Sequence, residues 1–133
     1  MEQPPHRHGL VDTDILIDAS RGIDQAGEFL NEIKRHVGIS VSVISAMELV
    51  AGCKDSAQLR QTKSFLEQVA VFPLSEPISS RAQNLMETYT LSHGLLIPDA
   101  LVAASAIEAG LALYTRNTRH FRMIPEILII QPY

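Results

Sequence analysis

The sequence predicts an α/β protein with a mostly parallel sheet of about five strands and helices on both faces of that sheet. Short apolar runs alternate with helical patterns through three β–α units, and no segment of the chain repeats another. Residues 100–109 carry only two polar side chains, those of Ser105 and Glu108. A helix that is apolar on nearly every side packs closely against a sheet rather than facing solvent. These observations predict three layers, with the sheet between two layers of helices.

The composition fits one domain spanning residues 1–133. A chain of 133 residues with 46% hydrophobic residues can bury one core of ordinary size. Residues 1–7 contain two prolines and no periodic pattern, and we expect them to form a loose tail. The single cysteine, Cys53, excludes an internal disulfide bond and a multi-cysteine metal site. We find neither a leader nor a run of about 20 apolar residues, and we expect a cytoplasmic protein without a membrane span.

Two acids follow predicted strands in the first half of the chain. Residues 8–11 predict the first strand, and Asp12 follows it at the position of a helix N-cap. Residues 39–44 predict the second strand, after which Ser45 and Glu48 have the spacing of a capping box that opens a helix. Helix capping alone could account for either acid. Both nevertheless stand where a strand gives way to a helix.

A third acid begins the apolar helix described above. Pro98 suits the first turn of a helix, and Asp99 beside it lies at the positive end of the helix dipole. Gly110 ends this helix, and a polar turn follows the next strand. In residues 56–69 we expect Leu59 and Phe65 to point inward. The remaining predicted elements are helices over residues 24–37, 56–69 and 77–92, and strands over residues 69–74, 111–115 and 127–130.

The three acids should meet at one edge of the sheet. A helix that runs antiparallel to its strands begins at their carboxyl ends, so Asp12, Glu48, Asp99 and Asn117 are expected at the edge where open α/β folds bind ligands. Carboxylates brought together repel each other unless a cation lies between them. Oxygen ligands without a cysteine cluster favour Mg²⁺ or Mn²⁺ over Zn²⁺. Such an ion could activate water for hydrolysis of a phosphodiester.

The polar turn adds positive charge to this edge. A net charge of −4 argues against a generally basic surface, but three of the eleven Lys and Arg residues are Arg116, Arg119 and Arg122. Their spacing of three would form a rough stripe in a helical turn, and such a stripe could hold the phosphates of a nucleic acid. An ordinary solvated face is the other interpretation of the same residues.

Four motifs, in order, resemble those of PIN-domain ribonucleases, and most closely those of VapC-type toxins from prokaryotic toxin–antitoxin pairs. The motifs are VDTDILID, SVISAMELVAG, IPDALVAASAIEAG and YTRNTRHF, and the resemblance covers the chain from Gly9 to Tyr133. It implies a PIN-like fold and a Mg²⁺- or Mn²⁺-dependent endoribonuclease. It also implies a homodimer that a cognate antitoxin inhibits.

The resemblance assigns roles to individual positions. Asp12, Glu48 and Asp99 match the three metal-ligating acids, and Asn117 falls where many members carry a fourth aspartate. Thr115 matches a polar position near the site. Asp14 occupies a place often held by Asn or Ser, and would support the ligands rather than join them. The rival interpretation is a catalytically inert PIN-like module that binds RNA or a protein, but the three intact acids favour the enzyme.

Overall fold

A computed structural model describes residues 7–133 of the protein. The predicted tail therefore lies, apart from Arg7, outside the described residues. Within residues 7–133 the chain forms five strands, six α-helices and a 3₁₀ turn. The strands are β1 (Gly9–Val11), β2 (Ser40–Ser42), β3 (Ala70–Phe72), β4 (Ala112–Tyr114) and β5 (Ile129–Ile130). The helices are α1 (Thr13–Ser20), α2 (Asp24–His36), α3 (Val43–Ala51), α4 (Ser56–Leu66), α5 (Glu76–His93) and α6 (Ile97–Ala109), and the 3₁₀ turn is Thr118–His120.

The five strands form one fully parallel sheet in the order β3-β2-β1-β4-β5. Strand β1 lies at the centre, where Leu10 is in register with Ser40 of β2 and with Leu113 of β4. Because every strand runs the same way, the carboxyl ends of β1, β2 and β4 lie at a single edge. The predicted parallel sheet of five strands is confirmed.

Helices cover both faces of the sheet, as predicted. Successive residues of a strand point to opposite faces, so Leu10 and Val11 of β1 enter different cores. Leu10 packs with residues of α5 and α6 and with Phe121. Val11 packs with residues of α1 and α2 and with Tyr114. No helix among residues 7–133 is both long and apolar enough to cross a membrane.

Helix α6 is the buried helix that the composition of residues 100–109 predicts. Six of its residues are buried, and five of these are alanine or serine: Ala100, Val102, Ala103, Ala104, Ser105 and Ala106. Small side chains let a helix approach its neighbours closely, and α6 shares its core with α5 and β4. Gly110 ends the helix with a φ of 67°, a left-handed conformation that costs glycine little. The helix thus holds Asp99, in its first turn, in a fixed place at the sheet edge.

The predicted capping box is wrong. Helix α3 begins at Val43, and its N-cap is Ser42, whose Oγ accepts a hydrogen bond from the Ile44 N–H over 3.0 Å. Strand β2 therefore ends at Ser42, two residues earlier than predicted, and both Ser45 and Glu48 lie inside the helix. Two serines three residues apart offer alternative caps, and the S-x-x-E spacing favoured the wrong one.

Helix α4 is shorter and more exposed than its pattern predicts. It ends at Leu66 rather than at residue 69, and none of its residues is fully buried. Phe65 is partly buried against the core between α1 and α2, but Leu59 is 38% exposed, so the inward placement of Leu59 is wrong. The helix packs at the margin of the domain, where an apolar side chain can stay half in solvent.

Candidate active site

Asp12 lies where strand β1 ends and helix α1 begins, and it is the N-cap of that helix, as predicted. Its Oδ1 accepts a hydrogen bond from the Thr13 N–H and its Oδ2 accepts one from the Thr115 hydroxyl, each over 2.8 Å. The residue is only 7% exposed. Burial, with a contribution from the charge of Asp14, raises the pKa of Asp12 to about 6. The fold therefore holds a carboxylate in a place where ionisation is costly.

Asp14, in the first turn of α1, is a full member of the same cluster. Its Oδ2 accepts a hydrogen bond from the Arg116 N–H over 2.8 Å and lies 3.4 Å from the Thr115 Oγ1. Burial raises the pKa of Asp14, and the charge of Asp18 raises it further. The family resemblance implies only a supporting place for Asp14. Its position two residues after Asp12, at the start of the same helix, is the signal in the sequence that could have marked it as a member of the cluster.

Glu48 lies in the second turn of α3, and Thr13 links it to helix α1. The Thr13 Oγ1 lies 2.6 Å from the Glu48 Oε1 and 2.9 Å from the Ser45 Oγ. A hydroxyl has one proton to donate, and the charged carboxylate of Glu48 is a stronger acceptor than the Ser45 hydroxyl. The shorter distance to Glu48 agrees with donation to the carboxylate. Glu48 itself is exposed, whereas Thr13 and Ser45 are buried. Thr13, which no sequence pattern singles out, orients Glu48 toward the start of helix α1.

Asp99 lies in the first turn of α6, and its Oδ2 is 3.1 Å from the Nδ1 of His120. Burial raises the pKa of Asp99, the nearby His120 lowers it, and the charge of Glu48 raises it again. His120 is thus the partner of a site acid. Arg119 and His120 line a cavity of about 140 Å³ beside Asp99.

The four acids come from three segments and affect one another. Asp14 and Asp99 both raise the pKa of Asp12, while Glu48 and Asp14 raise the pKa of Asp99. Asp12, Asp14, Glu48 and Asp99 therefore lie near one another at this edge of the sheet. As the side chains are placed, no three His, Cys, Asp or Glu residues among residues 7–133 surround one point as metal ligands would. Several of their oxygens accept hydrogen bonds from Thr13, Thr115 and Arg116 instead.

These acids nonetheless fit a hard divalent cation in the type of their donor atoms. All of the donors are carboxylate oxygens, which Mg²⁺ and Mn²⁺ prefer. Burial raises the pKa values of Asp12, Asp14 and Asp99, and repulsion between site acids adds to the effect for Asp12 and Asp99. A bound cation would offset both costs.

The polar turn that carries Arg116, Arg119 and Arg122, called the basic turn below, lies next to the acids but does not form one continuous stripe. Only Thr118–His120 is helical, so Arg116 precedes the turn. The Arg116 guanidinium lies over the ring of Tyr133, 4.6 Å from its centroid. Asn117 is exposed, and its backbone N–H donates to the Thr115 Oγ1 over 3.0 Å. Arg119 and Arg122 are exposed as well.

A parallel three-layer fold with an acid cluster at the carboxyl edge of its central strands defines the class of this protein, and comparison with known proteins gives the family. The sequence model of the PIN domain matches residues 9–126. The chain belongs to the PIN domain family, and its resemblance to VapC-type proteins is confirmed.

Two curated relatives come from Mycobacterium tuberculosis. Ribonuclease VapC10 is 34% identical over 119 residues, which cover 89% of each chain. Ribonuclease VapC19 is 35% identical over 120 residues, covering 89% of this chain and 95% of the relative. Among solved structures, a chain of a toxin–antitoxin complex from Klebsiella pneumoniae is 32% identical, with a TM-score of 0.78 over 94% of this chain and 98% of that one.

Proposed function

We propose that this protein is an endoribonuclease, the toxin of a toxin–antitoxin pair, which hydrolyses phosphodiester bonds of RNA with the help of Mg²⁺ or Mn²⁺. The observation that carries the proposal is the convergence of Asp12, Asp14, Glu48 and Asp99 at one sheet edge. Membership of the PIN domain family and relatives that are ribonucleases give that cluster its chemistry. An inert binding module would have no use for a cluster of acids in which charges raise the pKa values of Asp12 and Asp99.

The metal would be held by Asp12, Glu48 and Asp99, with Asp14 next to them. When bound, the ion would activate a water molecule and stabilise negative charge on the phosphodiester. Asn117, at the place of a fourth acid, offers an uncharged oxygen and contributes no charge toward a second ion.

The surrounding residues orient the acids and bind the substrate. Thr13 and Thr115 hold Glu48 and Asp12 in place through hydrogen bonds of 2.6 and 2.8 Å. Arg119 faces the cavity beside Asp99, which puts a positive charge where a flanking phosphate would lie. Arg116 lies on the other side of the cluster, next to Asp14. The substrate would therefore meet a cation on either side of the acids.

Two protein partners belong to the same proposal. One is a cognate antitoxin, since a solved neighbour at 32% identity is a toxin–antitoxin complex. The other is a second copy of the chain. Leu91, Leu96 and Ile97, around the connection between α5 and α6, are 100%, 60% and 63% exposed, an apolar surface suited to a homodimer. A cytoplasmic location is also proposed, and the unpaired Cys53 fits a reducing compartment.

The activity is tested with purified protein, single-stranded RNA, and Mg²⁺ or Mn²⁺ with and without a chelator. We expect cleavage that needs the metal and that Asp99→Asn abolishes. Asp55→Asn is the matched control, because Asp55 lies at the start of a helix, as Asp99 does, but outside the acid cluster. Binding of RNA without cleavage under every metal condition would favour the inert module. Sedimentation that shows a monomer at tens of micromolar would contradict the homodimer.

A further inference from the structure

Tyr133 connects helix α1 to the basic turn. Its hydroxyl donates a hydrogen bond to the Asp18 Oδ2 over 2.8 Å. The face of its ring lies under the Arg116 guanidinium, 4.6 Å from the centroid to the central carbon. The side chain is partly buried against the core between α1 and α2. Tyr133 therefore contacts a residue of the proposed RNA-binding surface while its own position is fixed by the scaffold.

The contacts of Tyr133 close a ring of interactions around Arg116. Asp14 and Asp18 lie four residues apart on α1, which puts them on one face of that helix. Asp14 accepts a hydrogen bond from the Arg116 backbone N–H over 2.8 Å, and Asp18 holds the Tyr133 ring against the Arg116 side chain. Both ends of Arg116 are thus attached, directly or through Tyr133, to the helix that carries the site acids.

Stacking on an aromatic ring leaves an arginine able to bind phosphate. The ring contacts the face of the guanidinium plane, whereas the N–H donors point outward within that plane. A free arginine loses much of its rotamer freedom when it binds a ligand, and a side chain that is already held loses less. Arg116 is exposed, so its donors remain accessible to RNA.

We propose that Tyr133 is a positioning residue for RNA binding, which holds the Arg116 guanidinium in place to meet a phosphate of the substrate beside Asp14. The proposal rests on the proposed ribonuclease function. It assigns a role in substrate binding to a residue that lies outside the four motifs.

The ring rather than the hydroxyl is the part that contacts Arg116, so the two can be separated. Tyr133→Leu removes the ring, and Tyr133→Phe keeps the ring but loses the hydrogen bond to Asp18. In the 133-residue chain with Asp99→Asn to prevent turnover, the affinity for fluorescent single-stranded RNA is measured by anisotropy. We expect Tyr133→Leu to weaken binding by about threefold to tenfold. The RNA affinity of the Tyr133→Phe variant should lie between that of the Tyr133→Leu variant and that of the chain with Tyr133.

A double-mutant cycle distinguishes positioning from general packing. If Tyr133 acts through Arg116, Tyr133→Leu has no further effect on RNA affinity once Arg116→Ala is present. Arg119→Ala is the matched control, because Arg119 is an exposed arginine of the same turn whose side chain faces the cavity beside Asp99. Its effect should add to that of Tyr133→Leu. In the free protein, NMR should show ring-shifted Arg116 Hδ resonances that Tyr133→Leu abolishes and Tyr133→Phe keeps.

The outcomes separate this proposal from the one on which it depends. Suppose that the parent chain binds RNA and that Tyr133→Leu lowers RNA affinity equally in the presence and absence of Arg116. This result would overturn the positioning role alone. Loss of RNA affinity that merely follows a loss of thermal stability across the variants would also overturn it. A parent chain that neither binds nor cleaves RNA would overturn both proposals. Coupling specific to Arg116, with Arg119 additive, establishes the positioning role.

Discussion

The Thr115 hydroxyl donates a hydrogen bond to the Asp12 Oδ2 over 2.8 Å and so joins the carboxyl ends of the two central strands. Thr115 is fully buried. The Asp12 backbone N–H bonds to the Tyr114 carbonyl over 2.9 Å, and the Asn117 N–H bonds to the Thr115 Oγ1 over 3.0 Å. The hydrogen bond from Thr115 lowers the pKa of Asp12, against the larger effect of burial. The Thr115 hydroxyl thus stabilises the ionised form of Asp12, whereas burial in the core destabilises that form.

Thr115→Val should damage both stability and activity. The substitution keeps the shape of the side chain but removes the donor to Asp12 and the acceptor for the Asn117 N–H. A buried group left without its partner costs about 1–3 kcal/mol, and we expect the free energy of unfolding to fall by that order at pH 7.5. Cleavage should fall at least tenfold, and Thr115→Ser should restore most of it. Full activity in Thr115→Val would contradict a role for this hydroxyl in orienting Asp12.

Asp12→Asn should stabilise the metal-free protein in a manner that depends on pH. The pKa of Asp12 is 3.8 in an unfolded chain and about 6 in the fold, so between these values the folded state binds more protons. The free energy of unfolding of the parent protein therefore falls as pH rises from about 4 to about 6. Asparagine can still cap the helix but cannot ionise. The variant should be more stable by at most about 3 kcal/mol at pH 7.

Chemical denaturation at pH 4 and pH 7, with and without Mg²⁺, measures the effect of Asp12→Asn. The difference in stability between the two proteins should nearly disappear at pH 4, where residue 12 is uncharged in both folded proteins. Mg²⁺ should stabilise the parent protein and have little effect on the variant. A variant that is less stable at every pH would show that the carboxylate mainly supports the helix cap.

Much of the fold follows from the sequence because it depends on local patterns. The buried helix α6, its glycine stop and the β–α alternation are all visible as periodicity in one chain. The positions of Asp12 and Asp99 are predictable for the same reason, since a strand end and a helix start fix them. Glu48 was placed near the site although its predicted capping role is wrong.

The contacts that complete the site join residues far apart in the chain. Thr13 meets Glu48 across 35 positions, Asp14 meets Arg116 across 102, and Asp18 meets Tyr133 across 115. No periodicity or short motif records such a pair in a single sequence. The same limit explains why the stripe predicted for the three arginines is not continuous. The spacing of the arginines in the sequence does not show that Arg116 packs on the ring of Tyr133.

The two helix-cap interpretations of α3 predict opposite results for Ser42 and Glu48. Ser42 is the cap in the structure, so Ser42→Ala should destabilise the protein by about 1 kcal/mol and leave metal affinity intact. Glu48→Gln keeps a hydrogen-bond acceptor for Thr13 but removes the charge. It should leave stability nearly unchanged and abolish cleavage. Thermal unfolding and metal titration on both variants check this. Destabilisation by Glu48→Gln without loss of cleavage would restore the capping box.

Arg116 and Arg119 should supply separate phosphate contacts on the two sides of the acid cluster. If both bind RNA, their joint replacement by alanine weakens binding and lowers the slope of log affinity against log salt by about 1.4, since each contact to a single strand contributes about 0.7. Metal affinity should not change, because neither residue is an oxygen ligand. Arg81→Ala is the matched control, since Arg81 pairs with Glu108 of α6.

The salt dependence also separates RNA binding from binding to an antitoxin. The same two arginines could hold an acidic segment of a partner protein, in which case antitoxin binding falls while RNA affinity and its salt slope stay constant. An unchanged slope together with unchanged binding of both partners would show that the basic turn is an ordinary solvated face. A slope that falls for RNA by the contribution of two phosphates, and stays constant with Arg81→Ala, assigns the turn to the substrate.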